Sequence, residues 1–450
     1  MERKSVGTDT EKLKKRRKNK IKDGLIVGIC AAIALALVIS LITLVFNGVS
    51  ALFGLIFGNK KAPAKTENTI EQVINDADRL AAGYDYDAAL AKVAAATEKY
   101  PNNDQISAAQ ARYNEAKSQL VPFTDISKIT HVFFHTLVVD DSLAFDGDYR
   151  QTGYNQYMTT VPEFKRMLEQ MYAKGYVLVD IHDMASMQTD ENGNTVMRPG
   201  NIMLPPGKIP FVMSQDDVSY YNYMTGDGFA SKIVIGEDSM PTCEYINPDG
   251  SISYGDYDLV PILERFINEH PDFSYKGARA ILALTGYDGV LGYRTCPSGD
   301  GYNEADIEKA KAVAERMKEC GWVFASHSWG HQKYGKIDYQ HMVSDVEKWH
   351  NEVESIIGDT DVMIYANGDD IAGVENYSGE KYNLLKSYGF NYFCNVDSSR
   401  YWVQLKDGYL RQGRRNLDGY RMYYNPDMLS DLFDVSTVWD HERPTPVPQI

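Results

Sequence analysis

The period of the apolar residues changes several times along the chain, and each change marks a boundary. Gly24–Phe46 is twenty-three residues without a charge, directly after the basic block KLKKRRKNKIK at 12–22. At 1.5 Å per helical residue that length spans a hydrocarbon core, and the basic side stays cytoplasmic. A single transmembrane helix is therefore expected at 24–46, with everything after it outside the cell. A cleaved signal peptide is the alternative, although its apolar core is usually about 7–15 residues. The uncharged run continues to Asn59, and KKAPAK at 60–65 reads as a linker. From 66 to 120 the apolar positions recur every three and four residues, as in Ile70, Val73, Ile74, Ala77, Leu80 and Ala81, then Ala89, Leu90, Val93 and Ala94. That spacing predicts helices with small, closely packing faces.

Beyond about Val121 short apolar runs alternate with amphipathic stretches about a dozen residues long. HVFFHTLVV (131–139) reads as a strand, and VPEFKRMLEQMYAKGYVLVDIHDM (161–184) as a helix stopped at Gly175 and followed by a strand. KIPFVMSQDD is a strand, 258–269 a helix, 278–284 a strand and 304–320 a helix ending at Gly321. WVFASHSWGH, VMIYANGDD and NYFCNV supply further strands, with helices at 343–357 and in YNLLKSYGF. Strands alternating with helices give a parallel α/β fold, and repeated polar residues at strand tips point to a barrel. The segment between Met224 and Tyr257, rich in Gly, Asp and Tyr, is expected to form a hairpin excursion turning at Asp249-Gly250. The expected organisation is a basic cytoplasmic tail (1–23), an anchor (24–46), a linker (47–65), a helical arm (66–120), the main domain (121–440) and a loose Pro-rich tail (441–450).

Charge narrows the partners. The first 23 residues carry ten Lys/Arg and four Asp/Glu, a net +6, so the remainder carries −22 of the total −16. Nucleic acid is excluded as a partner of the folded part, because phosphate binding needs clustered positive charge. Thirty-one Tyr suit a surface that handles sugars or other flat, polar-edged ligands. Cys30 lies in the anchor, and Cys243, Cys296, Cys320 and Cys394 have neither CxxC spacing nor disulfide-scaffold density, leaving room for one bridge at most. The phrase GYDYDAALAKVAAATEKYPNND (83–104) resembles one tetratricopeptide-type helix pair, and a plain helical stalk accounts for it equally well. A single pair buries little by itself, so the arm reads as a spacer or a docking point for a protein partner.

Two places carry candidate chemistry. The strand KIPFVM ends in SQDD, which places Asp216 and Asp217 at the end of the sheet where α/β folds bind ligands. Adjacent carboxylates repel unless a cation or a shared proton relieves them; an Asp-Asp helix cap is the simpler account of this stretch alone. His327 and His331, in SHSWGH, are four residues apart, so a helical turn brings both imidazoles to one side. With Asp217 they make a His, His, Asp set suited to a divalent metal, zinc first, with nickel, cobalt and iron sharing the ligand type.

SQDD and HSWGH resemble the TFDD and H-(S/T)-x-x-H motifs of NodB-type polysaccharide deacetylases, carbohydrate esterase family 4, and the resemblance spans about 121–424. It implies a distorted (β/α) barrel and a metal-dependent N-deacetylase of glycans containing N-acetylglucosamine. By this resemblance Asp216 is the general base, and Asp217, His327 and His331 are the metal ligands. The family's usual acid, a His late in the chain, has no match before His441; HVFFHTLVV resembles instead the Y-H motif of the circularly permuted branch, typified by poly-N-acetylglucosamine deacetylases, and makes His135 the acid. His131 lies on the same strand face at an interval of four and reads as a packed residue. The chain departs from the family where Gln215 replaces an aromatic residue, and where Tyr365-Ala366-Asn367-Gly368 stands for a Tyr-Pro-Tyr-Gly-like third motif; Asn367 there keeps the backbone N–H that helps hold the oxyanion. The Arg that steadies the base in relatives is matched by Arg411, Arg414 or Arg415, unless LRQGRRN is a solvated basic turn, and Trp402 is either a sugar platform or a core residue. The expected protein is a membrane-anchored deacetylase facing outward, acting on a cell-surface polysaccharide such as poly-N-acetylglucosamine or peptidoglycan.

Overall fold

In the computed structural model, which describes residues 69–450, the alternation of strand and helix closes on itself. Seven parallel strands run in chain order around one cylinder: β1 (Thr130–Phe134), β2 (Ile209–Gln215), β3 (Ile281–Leu284), β4 (Val323–Ser326), β5 (Val362–Ile364), β6 (Tyr392–Val396) and β7 (Tyr409–Asn416). β7 returns to β1 through Arg414 opposite His131 and completes the ring. The wall is uneven. β6 and β7 share five paired residues, β2 and β3 only two, and β4 and β5 a single pair, Ser326 with Met363. A short strand, Tyr176–Leu178, lines the lower half of β2 and fills the gap left there.

Period-two alternation sorts the strand residues. Val212, Ile281, Ala283, Ala325, Ile364, Cys394 and Leu410 pack together, while their neighbours Phe211, Met213, Leu282, Phe324, Met363 and Phe393 belong to the layer beneath the helices. That outer layer is completed by α4 (Val161–Ala173), α5 (Leu259–Glu269), α6 (Ala305–Glu319), α7 (Tyr339–Trp349) and α8 (Gly379–Ser387). Local signals start and stop them. Thr160 and Glu163 form a capping box at α4, and Gly321, at φ 98°, ends α6 where a Cβ would meet the Gly277 carbonyl oxygen at 2.5 Å.

The arm is three helices, not one pair: α1 (Ile70–Ala82), α2 (Tyr86–Ala96) and α3 (Asp104–Ser118). α3 supplies Ile106, Ala109 and Tyr113 against Ala77, Ala89 and Val93, the apolar surface that two helices alone lack. The arm packs on the barrel, with Tyr84 donating to the Asp272 carbonyl at 2.9 Å and the Lys276 N–H donating to the Gly83 carbonyl at 2.7 Å.

Four local expectations change. The run HVFFHTLVV is strand only to Phe134, because Asp216 donates its N–H to the Phe134 carbonyl and the chain then turns outward. The excursion after Met224 is a three-stranded antiparallel sheet (Lys232–Ile235, Pro241–Ile246, Ile252–Gly255), with Gly250 in the expected turn. The Pro-rich tail is not loose. Arg443 is buried against Glu163 at 2.8 Å, Asn155 and Gln156 donate to the Pro444, Pro448 and Gln449 carbonyls, and Val447 is buried. Cys243, Cys296, Cys320 and Cys394 are all free thiols. Among the described residues no helix is long and apolar enough to cross a membrane; the expected anchor at 24–46 lies outside them.

Candidate active site

The candidate base, acid and metal ligands lie at or just beyond the C-terminal ends of barrel strands. β2 ends at Gln215, so Asp216 and Asp217 stand on its rim; β4 delivers His327, and the turn beyond it His331; β1 delivers His135. Asp217 Oδ1 lies 4.0 Å from His327 Nε2 and 3.8 Å from His331 Nε2. One donor atom from each of the three lies within 4.8 Å of the others. Zinc bound tetrahedrally at about 2.0–2.1 Å from each donor places the donors about 3.4 Å apart, so Asp217 would close on each imidazole by roughly half an ångström to hold such an ion. The ring of His327 is already oriented for it: Nδ1 lies 2.8 Å from the Ile364 carbonyl oxygen, to which it donates, which leaves the Nε2 lone pair free.

The two imidazoles do not converge through a helical turn. Ser328 and His331 adopt φ of 60° and 52°, so the turn between them is a strained loop. The Asp345 carboxylate accepts the N–H groups of Trp329 and Gly330, both at 2.8 Å, and the Tyr334 hydroxyl at 2.7 Å. Asp217 (φ 61°) and Asn367 (φ 56°) are also left-handed, so strain gathers around the site. Asn367 is exposed, and its amide nitrogen is 3.5 Å from His331 Nδ1.

Asp216 is buried and its charge is fixed. Arg414 grips it with two bonds, Nη1 to Oδ1 at 2.6 Å and Nη2 to Oδ2 at 2.9 Å. Burial alone pushes its pKa up, but the Arg414 charge and the nearby His327 hold it well below the usual carboxylate range. The three candidate arginines are thereby separated: Arg411 pairs with Asp370 and Arg415 with Asp431. Arg414 also donates to Ser214 Oγ at 3.1 Å, whose own proton points to His131 Nε2 at 2.9 Å, and His131 Nδ1 meets Gln412 Oε1 at 3.2 Å. Burial, with Arg414 adding to it, keeps His131 neutral, so it is a floor beneath the site. His327, facing the carboxylates, has its pKa lowered by burial against their pull.

His135 stands across Asp217 from the other imidazoles. Its Nε2 is 4.0 Å from Asp217 Oδ2, and its Nδ1 is 3.2 Å from the Tyr157 carbonyl. The altered residue Gln215 and the platform candidate Trp402 both have local structural roles. Gln215 is fully buried and donates to Asp258 at 2.8 Å, bracing the barrel wall without lining a groove. Trp402 lies over the Arg411 guanidinium at 4.8 Å, with Tyr377 on the same cation at 4.4 Å, a packing role.

The site also has parts that no spacing in the sequence announces: Ser214, Gln412, Asp345, and Tyr221, whose hydroxyl donates to Asp217 Oδ1 at 2.5 Å. Each acts on a partner far away in sequence or through a loop whose shape the residue pattern does not give.

Residues 301–393 match the family described as polysaccharide deacetylase, a segment that holds His327, His331 and Asn367. The domain makes the chain a polysaccharide deacetylase-like hydrolase acting on carbon–nitrogen bonds other than peptide bonds. No curated protein matches the chain in sequence. Among solved structures, the Streptococcus pyogenes deacetylase PplD in complex with acetate aligns at 12% identity and a TM-score of 0.35, over 67% of this chain and 94% of that one.

Proposed function

We propose that this chain, with its polysaccharide deacetylase match over 301–393, is a metal-dependent N-deacetylase that hydrolyses acetamide groups of an N-acetylglucosamine-containing polysaccharide of the cell surface, poly-N-acetylglucosamine or peptidoglycan. The observation that carries the reading is the convergence of Asp217, His327 and His331 beside a second, arginine-held carboxylate. Those three residues would hold a divalent ion, zinc by donor type. When bound, such an ion acidifies a water molecule and polarises the acyl oxygen.

The chain's own groups supply the rest. Asp216, kept ionised by Arg414, takes the proton that water loses as its oxygen bonds to the acetamide carbon, through Oδ2, the oxygen facing His327 at 3.9 Å. The backbone N–H of Asn367 is the donor left for the oxyanion. As the carbon–nitrogen bond breaks, the nitrogen needs a proton, and His135 gives it from Nε2 while the Tyr157 carbonyl fixes the ring through Nδ1. Acetate and a free amine are the products. The uncharged stretch 24–46 behind its basic block supports a single-pass anchor with the barrel outside the cell.

The test is acetate release from N-acetylglucosamine oligomers by metal-loaded protein. Asp216→Asn is expected to lose it by about 100-fold or more while binding metal near one equivalent. No release from any N-acetylated glycan by the wild type overturns the reading and leaves a non-catalytic glycan-binding barrel.

A further inference from the structure

Three tyrosine rings stand in one stack beside Asp217. Tyr221 is the middle ring, with the Tyr223 centroid 5.4 Å away at an interplanar angle of 14° and the Tyr287 centroid 5.0 Å away at 9°. Tyr221 is buried; its hydroxyl donates to Asp217 Oδ1 at 2.5 Å and lies 2.8 Å from Thr285 Oγ1. Two covered faces and two hydrogen bonds lock that ring, so the stack is rigid before any ligand arrives. Tyr223 is its open end, 46% exposed and outside the apolar cluster that buries Tyr221.

A lone exposed tyrosine is ordinary on a protein surface. Here the exposed ring is the end of a fixed stack whose middle ring is hydrogen-bonded to Asp217. Its flat face and polar edge suit one ligand chemistry in particular. In a β-linked glucosamine unit every ring substituent is equatorial, so each face of the sugar is a C–H surface and its rim is polar.

We propose that the Tyr223–Tyr221–Tyr287 stack is a sugar platform, on which a pyranose ring of the glycan chain lies against Tyr223 next to the unit being deacetylated. This rests on the deacetylase reading. The platform binds the polymer and takes no part in bond breaking, so its loss falls on KM.

Steady-state acetate release from N-acetylglucosamine oligomers tests it, with metal content measured on each protein. Tyr223→Ala is expected to raise KM about fivefold at unchanged kcat and metal content, and Tyr223→Phe, which keeps the flat face, to restore a KM near wild type. An unchanged KM in Tyr223→Ala overturns the platform, as does a loss confined to kcat or to metal binding. If the wild type itself releases no acetate, the deacetylase reading fails and the platform falls with it.

Discussion

Arg414 decides what Asp216 can be. With a guanidinium 2.6 Å away and both side chains buried, the carboxylate is charged at any physiological pH and is held by two bonds. Arg414→Met leaves that charge buried and unpaired. The expected cost is about 3–5 kcal/mol in denaturant unfolding, with acetate release reduced by about 100-fold or more. Wild-type stability in this variant would mean that Asp216 finds water or a proton instead. The residue types of the site were legible in the sequence because metal chemistry needs them at strand tips, and Asp217, His327 and His331 do meet. Which of three arginines serves Asp216 was not legible, since Arg411, Arg414 and Arg415 differ only in the direction each takes from one strand. The relay through Ser214, His131 and Gln412 joins three strands, and no local pattern encodes a triangle of that kind.

At the scale of elements, alternation of period-two and period-3.6 segments was enough to give the parallel strands and their helices. It failed where composition stood in for contacts. ERPTPVPQI reads as loose because proline cannot continue a helix or a ladder, yet Arg443 reaches Glu163 in the first turn of α4 and donates to the Asn155 and Met158 carbonyls. The partner lies 280 positions upstream, so nothing near the tail signals it. Arg443→Met strands the fully buried Glu163 carboxylate and is expected to destabilise the domain by about 3–5 kcal/mol in urea unfolding; a change within 0.5 kcal/mol, about what surface substitutions give, contradicts the anchoring role. The arm was legible as helices but not as three, because α3 carries only Ile106, Ala109 and Tyr113 on an otherwise polar surface.

At the scale of the whole molecule, the end of the barrel remote from the rim is held by an ionic lock. His182 lies between Asp180 (2.6 Å) and Asp361 (2.8 Å), joining the segment after Tyr176–Leu178 to the start of β5. Burial opposes its charge, but the two carboxylates win and raise its pKa to about 10. The folded value thus exceeds the unfolded value of about 6.5, so the lock stabilises fully below that pH and fades as pH rises towards 10. The gap in urea midpoint between wild type and His182→Gln is expected to be wide at pH 6 and to close by pH 10; a gap equal at both rules the lock out. The thin seam between β4 and β5 has a different consequence. Where a single backbone pair registers those strands, the side-chain bond from His327 to the Ile364 carbonyl serves as a further tie, so a residue proposed to hold an ion is also masonry. Replacing His327 therefore loosens the wall whether or not it holds an ion, and a knock-out at this position cannot be a purely chemical experiment.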